Sequence, residues 1–187
     1  MSLPQLIAAT KAIAVSVAWT TPGPSLDEGG YTRFQVPLDV DGITESGLVL
    51  EGGAFASYRD RDVCFELNAL GHNGRRRIPL MRLEWRSRRG GHSNQRKTGC
   101  QGPWAGKRVP ATHIHTFEAN WLAEKDRMRK GDLPCAEPIE EEIQSFEELR
   151  VYVGRRFRIN NIGVVPHPDW RYDLFDEGDG HHGSRDR

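Results

Sequence analysis

From Tyr31 to Trp85 the chain repeatedly alternates apolar and polar residues with a period of two, and this pattern constrains the fold more than any other feature. In "YTRFQVPLDV" the residues Phe34, Val36 and Leu38 share one side. In "DVCFELNAL" Val63, Phe65, Leu67 and Ala69 oppose Cys64, Glu66 and Asn68, and in "RIPLMRLEWR" Met81, Leu83 and Trp85 oppose Arg82, Glu84 and Arg86. Neighbouring side chains of a strand point to opposite faces, so each segment reads as a half-buried strand. A further strand is expected over 47–58, bulged or bent at Gly52 and Gly53. The short turn "GHNG", with His72 as turn filler, joins two of these segments, which implies antiparallel neighbours.

Helical patterns flank the strands. Residues 3–18 carry Leu3, Leu6, Ile13 and Val17 at helical spacing, ahead of the Pro/Gly connector "TTPGPSLDEGG". A second helix is expected from Asn120 to a stop at Gly131. The clearest one follows Ser145, which with Glu148 forms an S-x-x-E capping box, and Phe146, Leu149, Val153 and Phe157 fall on one face of it. These elements predict an α+β fold: an antiparallel sheet of about five strands with an N-terminal helix and C-terminal helices packed on it. A chain of 187 residues is the size of one domain. That domain is expected over 1–166, with His167 at an exposed kink between two prolines. A polar tail over 167–187 then includes His181 and His182.

Lys11 interrupts the apolar N-terminal stretch before a secretory core could form, and no later segment approaches a membrane span. Cys64, Cys100 and Cys135 are odd in number, widely spaced and without a C-x-x-C pair, so they point to neither a disulfide framework nor a zinc ribbon. A reducing cytoplasm is the compartment this favours.

Bases and acids number 26 each, yet they are segregated. Residues 75–108 hold eleven Lys or Arg against the single acid Glu84, whereas residues 131–149 hold seven acids and no base. The two segments can pair within one molecule or between copies. Guanidinium groups bind phosphate in a fork geometry, so Arg82, Arg86, Arg88, Arg89, Arg96, Lys97 and Arg108 are the candidate nucleic-acid contacts, with Trp85 or Trp104 as a stacking platform. Residues 87–111 form a long loop rich in Gly, Arg and Ser, and loops of that length are usually functional or disordered.

At the end of that loop, "ATHIHTF" sets His113 and His115 two apart in the last expected strand, hence on one face and about 6 to 7 Å from each other along the chain. Three roles fit this spacing. The imidazoles can share a divalent metal such as zinc, with His92, Glu84 or Cys100 as a third ligand. They can act as general base and general acid, as in cleavage of RNA by its own 2′-hydroxyl. Or they are surface residues, just as Glu84 and Glu66 have a plain explanation in ion pairs to Arg82 or Arg86. His92, in "GGHSNQ", either reaches back over the sheet or stays in the loop.

The segments "LMRLEWRSRRGGHSNQ", "ATHIHTFEANW" and "SFEELRVYVGRRFRINNI", within roughly residues 78–162, resemble a group of small bacterial proteins of unassigned function. These share a strand with alternating Arg and acid, a His-x-Asn turn, a His-x-His strand and a capped C-terminal helix. The matched positions here are Arg82, Glu84, His92, Asn94, His113 and His115. More distantly, the layout is similar to that of small toxins from bacterial toxin–antitoxin pairs, which act on RNA or translation. The coincidence of basic charge and paired imidazoles makes RNA-directed phosphodiester cleavage the leading expectation, with His113, His115 and His92 as the candidate catalytic residues. The alternative reading is a non-catalytic protein that self-associates, or binds a partner, through its basic and acidic segments.

Overall fold

The computed structural model describes residues 1–20, 30–70 and 77–170. Arg75, Arg76 and the turn containing His72 lie outside them, as do His181 and His182. The chain runs through α1 (Leu3–Ala8), β1 (Lys11–Ile13), β2 (Tyr31–Val40), β3 (Ile43–Phe55), β4 (Val63–Leu70), β5 (Arg77–Trp85) and β6 (His113–His115). It continues through α2 (Phe117–Asn120), β7 (Trp121–Leu122), β8 (Arg127–Met128), β9 (Glu137–Pro138) and α3 (Phe146–Phe157). One antiparallel sheet has the order β1-β2-β3-β4-β5-β6-β9. It has seven strands where about five are expected, because β1 and β9 are too short to show a periodicity of their own.

Sheet register explains the alternation. Phe34, Gly52, Phe65, Leu83 and Ile114 form one row across β2 to β6, and Val36, Leu50, Leu67 and Met81 form the next. Both rows are buried, and with Trp85 they share one core with Phe146, Leu149, Val153 and Phe157 of α3. Full burial of such side chains contributes about 1.5–3 kcal/mol each. Gly52 and Gly53 do not break the ladder, whose irregularities lie at Pro37/Asp39 and Leu67/Asn68. They are small because aromatic rings lie over them: a Cβ on Gly52 would stand 2.2 Å from Phe34 Cε1, and one on Gly53 1.7 Å from Tyr31 Oη.

The capping box is present in a shifted form. Ser145 Oγ accepts the Glu148 N–H at 3.2 Å, and the Glu148 carboxylate accepts the N–H of Gln144. The other two helix expectations are corrected. The first helix ends at Ala8, where the buried Lys11 ammonium donates to the carbonyls of Ile7 and Ala9. Residues Lys11–Ile13 then form the sheet edge, pairing with β2 on one side and bridging Ile159 on the other. Residues 120–131 form no long helix: after the single turn of α2, β7 and β8 make a small hairpin around Asp126, whose φ is 47°. Past α3, Trp170 meets Phe146 edge-on at 5.6 Å, and His167 pairs with Glu147.

The cysteine reading is also corrected. Cys100 and Cys135 form a disulfide, and Cys64 alone stays free. Spacing along the chain could not show this, because the pair is made by folding. The cysteines therefore carry no argument for a reducing compartment. No helix among the described residues is long and apolar enough to cross a membrane.

Candidate metal centre

The opposite face of the sheet carries the polar set. Arg33, Gly53, Cys64, Glu84 and His113 are in register across β2 to β6, beside a second row of Gln35, Glu51, Glu66, Arg82 and His115. Alternation thus places both histidines on the face away from α3, as their spacing requires. They are nonetheless only 1% exposed, because the long loop and the segment around Leu133–Ala136 cover them. The loop is ordered by its own backbone pairing, with Val109 N–H donating to His92 O and Asn94 N–H to Lys107 O. Gly91 is needed there, since a Cβ would stand 1.6 Å from the carbonyl oxygen of Val109.

Four side chains clamp the covering segment. His115 Nδ1–H donates to Leu133 O at 2.6 Å and His92 Nε2–H to Pro134 O at 2.9 Å. The Asn120 amide donates to Cys135 O and accepts from Cys135 N, and the Asn94 amide does the same with Ala136. The disulfide from Cys135 adds a covalent tie to the loop. Asn94 of the His-x-Asn turn is therefore a backbone clamp, and His92 reaches back over the sheet instead of staying in the loop. Its ring centroid lies 4.8 Å from that of His115 and 6.0 Å from that of His113.

The tautomers follow from these bonds. Carbonyl oxygens only accept, so Nδ1 of both sheet histidines carries hydrogen; for His113 the acceptor is Pro110 O at 2.9 Å. The two Nε2 atoms are left buried and without any hydrogen-bond partner. Glu84 completes the set: its Oε2 lies 3.9 Å from His113 Nε2, and one ligand atom each from Glu84, His113 and His115 lie within 4.8 Å of one another. Burial lowers the pKa of His115 to about 3, helped by the charges of His113, His92 and Arg82. Burial also lowers that of His113, against the pull of Glu84. Both rings are thus held neutral, the form that ligates metal.

The arginines divide. Arg82 is engaged by Glu66 and Asp132, so its ion pair is with Glu66 and not with Glu84. Arg86 lies over the Trp85 ring at 4.6 Å and donates to the carbonyls of Asp60, Ile143 and Gln144. Arg88 and Arg89, with Arg33 and Arg82, line a cleft of about 890 Å³ whose floor includes Cys64 and Glu84. Arg96, Lys97 and Arg108 are exposed on the same loop but outside that cleft. In the acidic segment, Asp132 pairs with Arg82, and Glu137 and Glu141 pair with Arg156 and Arg155 of α3.

Sequence reasoning missed Asn120, Asp132 and the carbonyls of Leu133 and Pro134. Only Asn120 left a trace, as a polar residue at an expected helix start. Compared with protein-family models, with curated proteins and with solved structures, the chain matches none.

Proposed function

We propose that His113, His115 and Glu84 bind a divalent cation, and that the chain uses it to cleave phosphodiester bonds of RNA entering the arginine-lined cleft. One observation carries this reading: two buried Nε2 atoms have no partner, and one ligand atom of each histidine and of Glu84, which lines the cleft, lie within 4.8 Å of one another. An unsatisfied buried polar group costs about 1–3 kcal/mol, so two side by side call for a bound group. Two imidazoles and a carboxylate suit zinc and other first-row divalent ions, and the Nδ1-to-carbonyl bonds are the outer contacts that orient ligating histidines. Such an ion polarises a phosphoryl oxygen and lowers the pKa of a bound water. The metal-free acid–base route is less favoured, because it needs one imidazolium and both rings are held neutral.

The test is zinc binding by calorimetry together with cleavage of a labelled RNA. Micromolar or tighter zinc binding to the wild type, lost in the His113→Ala/His115→Ala variant together with cleavage, is the expected result. Cleavage that survives in the double variant overturns the proposal, as does a wild type that binds no divalent ion. A salt-sensitive dimer without cleavage would favour assembly through the segregated charges.

A further inference from the structure

The outer face extends beyond the three ligands toward β2 and β3. In the row Arg33, Gly53, Cys64, Glu84, His113 the Tyr31 hydroxyl covers Gly53, and the cleft opens over Cys64, between Arg33 and Glu84. Arg33 is at one end and Glu84, beside the buried His113, at the other. Three steps of strand spacing give it a length on the order of 15 Å. Rings stand along its flank: Tyr31 and Phe55 meet edge-on at 4.9 Å, and Phe55 and Tyr58 at 5.9 Å. The Arg88 guanidinium lies 4.0 Å from the centre of the Tyr58 ring and 5.8 Å from that of Phe55, while that of Arg33 lies 5.9 Å from Tyr31. Among the described residues, neither Arg33 nor Arg88 has an ion-pair partner.

We propose that this cleft is a single-strand RNA subsite, in which an unpaired nucleobase stacks on Arg88 and the phosphates run from Arg33 over Cys64 toward Glu84. The inference rests on the metal-dependent cleavage reading for its direction, but the contacts are independent of the metal. A guanidinium already stacked on an aromatic ring presents its other planar face, and unpaired bases stack on aromatic rings and on Arg planes alike. Bases within an A-form duplex are already stacked and cannot reach such a plate. The small Cys64 in its floor leaves room for a sugar-phosphate chain, and Arg33 and Arg89 supply charge at its edges.

Fluorescence anisotropy of a labelled RNA hexamer, measured with the full chain in chelator so that neither metal nor cleavage contributes, tests this. The single strand is expected to bind at least tenfold tighter than the same sequence in a duplex, and tighter than an abasic strand of equal length. Arg88→Ala should weaken binding roughly five- to a hundredfold, the range for loss of one base stack. Arg88→Lys should be nearly as weak, since it keeps the charge and loses the plane. Arg88 is exposed, so both variants should keep the wild-type melting temperature. Equal affinity for single strand, duplex and abasic strand overturns the subsite, as does wild-type affinity in Arg88→Lys. If strand preference holds and no divalent ion supports cleavage, the hydrolytic reading fails alone. If cleavage persists without strand preference, the subsite fails alone.

Discussion

At the residue scale, His113 and His115 behave as one unit because each gives its Nδ1–H to a carbonyl and keeps its Nε2 lone pair buried and without a partner. That arrangement dictates a pH dependence. In the unfolded chain these imidazoles protonate near 6.5, whereas the folded His115 does so only near 3 and the folded His113 below its usual value. Between about pH 6.5 and 3 the unfolded state therefore binds more protons, and stability falls as pH falls, by up to ~1.4 kcal/mol per pH unit for each histidine. Urea unfolding of metal-free protein at pH 7, 6 and 5 should show this decline, and His115→Gln should flatten it. An unchanged slope in that variant would remove His115 as its source. Added zinc should stabilise the wild type by roughly 2.7 kcal/mol at a hundredfold excess over the dissociation constant, with little effect on Glu84→Gln at the same concentration. Thermal melts with and without zinc measure the difference.

At the element scale, the site is built by what covers β6 more than by β6 itself. The segment Leu133–Ala136 has no regular structure before β9, and its backbone groups are satisfied by Asn94, Asn120, His92 and His115. Removing either asparagine amide strands a buried N–H and C=O together. Asn94→Ala and Asn120→Ala should each cost about 2–4 kcal/mol and expose the histidines. Chemical denaturation gives the first quantity, and faster reaction of the rings with diethyl pyrocarbonate reports the second. Gly91→Ala should act on the same element from the loop side, since its methyl group would push Val109 away from His92. A loss of about 1–3 kcal/mol, with weakened zinc binding, is expected. Wild-type stability in Gly91→Ala would mean that the loop can relax around the added carbon.

At the scale of the whole molecule, a single sheet is covered on both faces by different means. One face has the apolar stripe of α3; the other has a polar lid held by amide clamps and the Cys100–Cys135 disulfide. The bridged residues are 35 apart in sequence, and closing a loop of that length lowers unfolded-chain entropy by an amount worth about 4 kcal/mol. Urea unfolding with and without dithiothreitol should show a stability loss approaching that figure. A negligible change would mean that the asparagine clamps alone hold the lid. In the core, Leu149→Ala should cost about 2–5 kcal/mol, because Leu149 is fully buried between α3 and the sheet.

Periodicity and capping chemistry are local properties, and they are legible wherever a segment is long enough to repeat. They assigned β2, β4 and β5 with their inward faces, located α3 from Ser145, and set His113 and His115 on one side of a strand with Glu84 as a candidate partner. They could not reveal the three-residue edge strand at Lys11, the hairpin after Asn120 or the pairing of Cys100 with Cys135, since each is stabilised by groups distant along the chain. Whether the imidazoles meet water or are sealed, and which arginines are free and which are engaged, was decided by chain closure. Burial and ion pairing depend on what the whole fold brings against a residue, and that is absent from the spacing of its neighbours.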